Sequence, residues 1–101
     1  MNERKNTIEV SVLIPNYNYG RYLEQCIKSV IDSDFDHNKL EILIVDDASR
    51  DNSIEIINKI KNTSSTPIKI IEKKKNSGLP KTRNEGIRNA KGKFLFFSGF
   101  R

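Results

Sequence analysis

The sequence has one cysteine, Cys26, one histidine, His37, and no tryptophan in 101 residues. A single cysteine excludes a disulfide framework and suits a reducing compartment. A single histidine has no second imidazole to pair with, and no Ser-His-Asp set, G-x-G-x-x-G turn or P-loop is present. The longest uninterrupted apolar runs, residues 42–45 and 94–97, are far too short to span a bilayer. Charged residues at the start of the chain are not followed by the apolar core of a signal peptide. A cytoplasmic protein is therefore expected. Neither an RNA-binding aromatic signature nor zinc-finger spacing occurs, so no nucleic acid partner is expected. Repeats and low-complexity tracts are absent as well.

What is there is enough for one domain, residues 1–101, near the commonest domain size and able to bury roughly 60–70% of its unfolded surface. The net charge of +5 conceals a division. Residues 1–58 hold 6 basic and 11 acidic side chains; residues 59–101 hold 12 and 2. Such a basic half serves solubility or faces an anionic partner, and charge alone does not decide between them.

Short β-rich runs alternate with helical patterns. Residues 10–14 read as a strand stopped by Pro15. From Tyr22 onward, Leu23, Cys26, Ile27, Val30 and Ile31 then form the apolar stripe of an amphipathic helix with Gly20 near its start. The polar connection 32–38 holds His37, expected to be exposed. Residues 40–45 are nearly all apolar, as in a strand covered on both faces. Asn52 and Glu55 have capping-box spacing before a helix that turns Ile54, Ile57 and Ile60 inward. A third strand, 68–71, a turn at 76–78, a helix over 79–90 and a fourth strand, 93–97, complete the order. This β-α-β-α-β-α-β order predicts an α/β fold: a Rossmann-like, three-layer α/β/α arrangement around a mostly parallel sheet.

Such sheets bind ligands at the carboxyl ends of their strands, and the unusual clusters all follow strands. Pro15, Asn16, Tyr17 and Asn18 make a rigid turn whose tyrosine either packs or stacks on a base. Asp46 and Asp47 are adjacent carboxylates that need compensation. They cap backbone amides, accept from a ribose or base, or help hold a metal. In the third helix Leu79, Arg83, Ile87 and Ala90 share one stripe, taken to face the core. A core-facing arginine near a helix N-terminus needs an acidic partner, Asp46 or Asp47, or an anionic ligand. Gly78 and the turn before it supply free amides at the same helix end.

Taken together, these motifs resemble the N-terminal half of a family 2 glycosyltransferase with the GT-A fold. The matching segments are 10–18, 22–30, 41–49, 51–53, 76–79, 82–87 and 90–97, so the resemblance covers about residues 8–97. It implies a nucleotide-sugar partner, a UDP-sugar, bound through its nucleotide. Tyr17, with Pro15, Asn16 and Asn18 beside it, lies against the base. Asp47 accepts from the base, Asp46 supports the turn or the ribose, Gly78 supplies backbone, and Arg83 contacts the base or approaches the diphosphate. The parent family transfers the sugar to an acceptor hydroxyl in polysaccharide biosynthesis, some members at the inner face of a membrane.

The resemblance stops at residues 98–101. Family members hold Mg²⁺ or Mn²⁺ with an Asp-x-Asp motif after the fourth strand, but Gly99 and Arg101 stand there. These 101 residues carry neither that metal site nor the catalytic base, and are expected to be inactive alone. Three other readings compete. One is a non-enzymatic nucleotide-binding or interaction module, including a homodimer formed through the edge of the fourth strand. A second is a receiver domain, which lacks its later aspartate here. The third is nucleic-acid binding through Lys73, Lys74 and Lys75.

Overall fold

A computed structural model describes residues 7–98. Four strands, β1 (Val10–Asn16), β2 (Leu40–Asp46), β3 (Ile68–Glu72) and β4 (Phe94–Phe97), alternate with three helices. The helices are α1 (Gly20–Ile31), α2 (Ser53–Thr63) and α3 (Leu79–Asn89). Every strand pair is parallel, in the order β3-β2-β1-β4.

Side chains of a strand point alternately to its two faces, and β1 and β2 are apolar on both. Val12, Ile14, Ile42 and Ile44 pack with Leu23 and Ile27 of α1 and Ile57 of α2. Leu13, Leu43 and Val45 form a second cluster on the other face with Ile71, Ala90 and Leu95. There Gly86 brings α3 against Leu13. The result is the expected three-layer α/β/α arrangement, and it explains why β2 is buried at every position.

Several local expectations are corrected. β1 does not stop at Pro15 but runs through it to Asn16, in register with Val45 and Asp46. The Leu13 carbonyl accepts from Ser98 N–H on the β4 side, and the Asn16 carbonyl from Asp47 N–H on the β2 side. Alternation therefore turns the Pro15 nitrogen toward β4, beyond the last register pair of Leu13 with Phe97. The missing N–H thus falls where the β1–β4 pairing ends.

Helix α1 begins at Gly20, as expected, and the Asp51 carboxylate accepts its first amide at 2.9 Å. The capping box of Asn52 is not made; Asp51 instead accepts from the amide and hydroxyl of Ser53. His37 is half-buried, and its Nδ1 lies 2.7 Å from the Thr66 hydroxyl.

The largest correction concerns α3. Its buried residues are Thr82 and Gly86, while Leu79, Arg83 and Ile87 are exposed. Small residues face the sheet because α3 lies too close to β1 for larger ones. Arg83 therefore makes no salt bridge with Asp46 or Asp47. Its guanidinium carbon sits 5.2 Å from the centre of the Phe97 ring.

Candidate functional site

The chain runs outward from β1 to β2 to β3 and then returns to place β4 on the far side of β1. Strand order reverses beside β1, and the carboxyl end of the sheet at such a reversal is where open α/β folds leave a crevice. A cleft of about 570 Å³ opens there. The β1–α1 loop forms one wall, Asp47 at the end of β2 lies at its base, and the turn and first helical residues of α3 form the other wall.

Asp47 is 3% exposed. Its Oδ1 accepts from the Ser77 amide at 2.9 Å and the Ser77 hydroxyl at 3.2 Å. Its Oδ2 accepts from the Gly78 amide at 2.9 Å. Lys73 Nζ lies 3.7 Å from Oδ1 and also donates to the Ser77 hydroxyl. Burial alone would raise the pKa of Asp47. The backbone donors of Ser77 and Gly78, with the hydroxyls of Ser77 and Thr82, outweigh it and hold the carboxyl below its ordinary value. Gly78 has φ of 92°, a conformation that suits glycine and aims its N–H at Asp47.

Asp46 turns the other way. Its Oδ1 accepts from Asn16 Nδ2 at 2.9 Å and the Ser49 hydroxyl at 2.7 Å, and its Oδ2 from the Ser49 amide at 2.9 Å. The two neighbouring carboxylates thus avoid each other because each has its own donors, and Ala48, at φ of 63°, makes the bend between the two loops. The side-chain oxygen of Asn18 accepts from the amides of Arg50 and Asp51. Below, burial would raise the pKa of Asp51, but Ser53 and the Gly20 amide lower it.

Of the eight residues singled out in the sequence, Pro15, Asn16, Tyr17, Asn18, Asp47 and Gly78 line this cleft. Asp46 lies beneath it, and Arg83 stands on the outer flank of α3. Asn76, Leu79 and Thr82 also line the cleft without having been singled out as site residues. Thr82 could have been found by its spacing, since one turn beyond Gly78 its hydroxyl donates to the Gly78 carbonyl at 2.9 Å. Ser49 is tied locally to Asp46, three residues earlier, and Lys73 to Ser77, four residues later, but their contacts with Asn16, Asn18 and Asp47 are tertiary and carried no such signal.

Gly99 and Arg101, where the metal motif is expected, lie outside the described residues. Among the described residues no group of three or more His, Cys, Asp or Glu is placed to hold a metal ion. Asp46 and Asp47 do not fit that role. Their oxygens are turned to N–H and O–H donors, and a lysine ammonium already stands beside Asp47.

A sequence model described as glycosyl transferase family 2 matches residues 11–98. Poly(ribitol-phosphate) beta-N-acetylglucosaminyltransferase TarS of Staphylococcus aureus is 33% identical over 91 residues, which is 89% of this chain and 16% of TarS. The crystal structure of TarS 1–349 superposes with a TM-score of 0.83 at 32% identity, covering 91% of this chain and 27% of that one. The same protein in complex with UDP gives 0.83, and with UDP-GlcNAc 0.82. A mannosyltransferase from Pyrobaculum calidifontis, in complex with GDP-Man and Mn²⁺, gives 0.78 at 25% identity over 83% of this chain and 25% of its own. The chain thus spans a small part of each relative.

Proposed function

The chain belongs to glycosyl transferase family 2, and on that premise we propose that its cleft binds the nucleotide of a nucleotide-sugar donor, a UDP-sugar. The observation that carries this is the pairing of an exposed aromatic ring with a buried, ionised carboxylate across one cleft. Tyr17, 41% exposed, offers a face for a base. Asp47, kept charged by its donors, offers an acceptor to a base N–H or a ribose hydroxyl. Pro15 and Leu79 supply apolar lining. Arg83, exposed and without an acidic partner among the described residues, supplies positive charge for the diphosphate.

The relatives solved with UDP and UDP-GlcNAc support this donor class. In the whole protein the sugar would pass to an acceptor hydroxyl, with a catalytic base outside these 101 residues. The relative solved with Mn²⁺ supports metal use in the family. In this chain nucleotide binding is proposed to be metal-free, since Gly99 and Arg101 replace the expected carboxylates. The single cysteine supports a cytoplasmic place of action.

The test is a titration of the ¹⁵N-labelled protein with UDP, with and without Mn²⁺. Amide shifts confined to residues 16–18, 46–49 and 78–83 and unchanged by metal are expected. No shifts with UDP would overturn the reading. A second reading, an interaction module that pairs through β4, is favoured by Phe94 and Phe96, which are 62% and 58% exposed on that strand.

A further inference from the structure

We infer that Ser49 and Asn18 are positioning residues that fix Tyr17 at the cleft before a ligand arrives; this rests on reading the cleft as a nucleotide site. Tyr17 makes no hydrogen bond of its own among the described residues. The direction of its ring therefore comes from its neighbours in the chain, and both neighbours are tied to the β2–α2 loop.

Ser49 is the hub. Its hydroxyl donates to Asp46 Oδ1 at 2.7 Å and accepts from the Asn18 amide at 2.9 Å and from Asn16 Nδ2 at 3.3 Å. A serine hydroxyl has one hydrogen to give and two lone pairs, so this one is fully used. The next links come from Asn18, whose backbone is left-handed at φ of 58°. Its side-chain oxygen accepts from the Arg50 amide at 2.7 Å and the Asp51 amide at 3.3 Å. Asp51 in turn accepts from the Gly20 amide. Bonds thus cross in both directions between residues 16–20 and residues 46–51, with Tyr17 between the two ties. Ser49 does not line the cleft and so acts on binding through the loop, whereas Asn18 both ties the loop and lines the cleft. A loop already held in its bound shape spares the ligand the cost of ordering it, about tenfold in affinity for each residue that would otherwise be freed.

The test uses Ser49→Ala, Ser49→Thr and Asn18→Gly, the last keeping the left-handed backbone while deleting the side-chain acceptor. Backbone order parameters for residues 16–19 are measured without ligand, and UDP affinity by titration. Ser49→Ala is expected to lower the order parameters of residues 17–19 and to weaken UDP at least tenfold, with β1 and β2 amide shifts unchanged. Ser49→Thr restores both, and Asn18→Gly reproduces the loss. A rigid loop in Ser49→Ala, a loosened loop with wild-type affinity, or equal losses in the alanine and threonine variants would overturn the inference. If Ser49→Ala does not fold, Asn18→Gly decides. Should the wild type bind no UDP, the reading of the cleft fails, while the order parameters still report whether these residues hold the loop.

Discussion

Asp47 joins the base of the cleft to one of its walls through one side chain, because its oxygens take the amides of Ser77 and Gly78 just before α3 while its own residue directly follows β2. Its pKa and that of Asp51 lie below their ordinary value in the folded protein. A carboxyl with a lowered folded pKa stabilises the fold above its unfolded pKa, about 4, and that contribution is lost as pH falls through the folded value. The urea midpoint is therefore expected to fall between about pH 5 and pH 2. Asp47→Asn should show a shallower fall there, and at pH 7 should cost about 1–3 kcal/mol, since an amide cannot accept from three donors as a carboxylate does. A variant with the wild-type slope would show that Asp47 is not the group involved. Arg83 separates binding from folding. Its side chain is exposed, with its guanidinium over the Phe97 ring. Arg83→Ala should leave the melting temperature in place while weakening UDP by about tenfold or more, as for a lost charge-assisted hydrogen bond. Equal UDP affinity would remove arginine from the site.

Helix α3, with the turn before it, forms one wall of the cleft and depends on how closely it lies on β1. A Cβ on Gly86 would come within 2.6 Å of Leu13 Cδ2 and overlap Cδ1. Alanine gains about 1 kcal/mol of helix propensity, but overpacking costs about 1–3 kcal/mol and displaces the helix. Gly86→Ala is expected to lower the melting temperature by several degrees, and to weaken UDP because Gly78 and Thr82 move with α3. A higher melting temperature with unchanged binding would mean that Leu13 yields freely. The same closeness explains why α3 was misread from its sequence. A hydrophobic pattern finds helices that bury large apolar side chains, as α1 does with Leu23 and Ile27. It cannot find a face made of threonine and glycine, so Leu79 and Ile87 drew the stripe to the wrong side and took Arg83 with them. The order of strands and helices was legible because β1 and β2 are mostly apolar, with Val12–Ile14 and Ile42–Val45 at their centres. The cleft lining was legible because its residues follow strand ends. The cap of α1 by Asp51 and the contact of His37 with Thr66 were not legible, since each joins residues that only the folded sheet brings together.

The strand order leaves β4 at one margin of the sheet, paired with β1 alone among the described residues. Leu95 joins the cluster on the α3 face, so Phe94 and Phe96 point to the opposite face. There α1 and α2 cover β1 and β2, and the two phenylalanines stay exposed. Among the described residues the outer edge of β4 has no paired strand, and such an edge beside exposed aromatic rings is a template for another strand. On the reading of β4 as an interface, the same strand of a second copy would be a self-complementary occupant, since a two-fold axis would bring β4 against β4 antiparallel. That arrangement sets the Lys93 residues of the two copies at opposite ends of the paired segment and keeps like charges apart. The protein is therefore expected to sediment as a monomer–dimer equilibrium that shifts with concentration. Phe96→Lys should move it to monomer, because it places a charge on the paired face while removing little buried area within one copy. UDP binding should survive that substitution, as Phe96 does not line the cleft. A wild-type protein that remains monomeric at every concentration would show that β4 does not serve as an interface between copies.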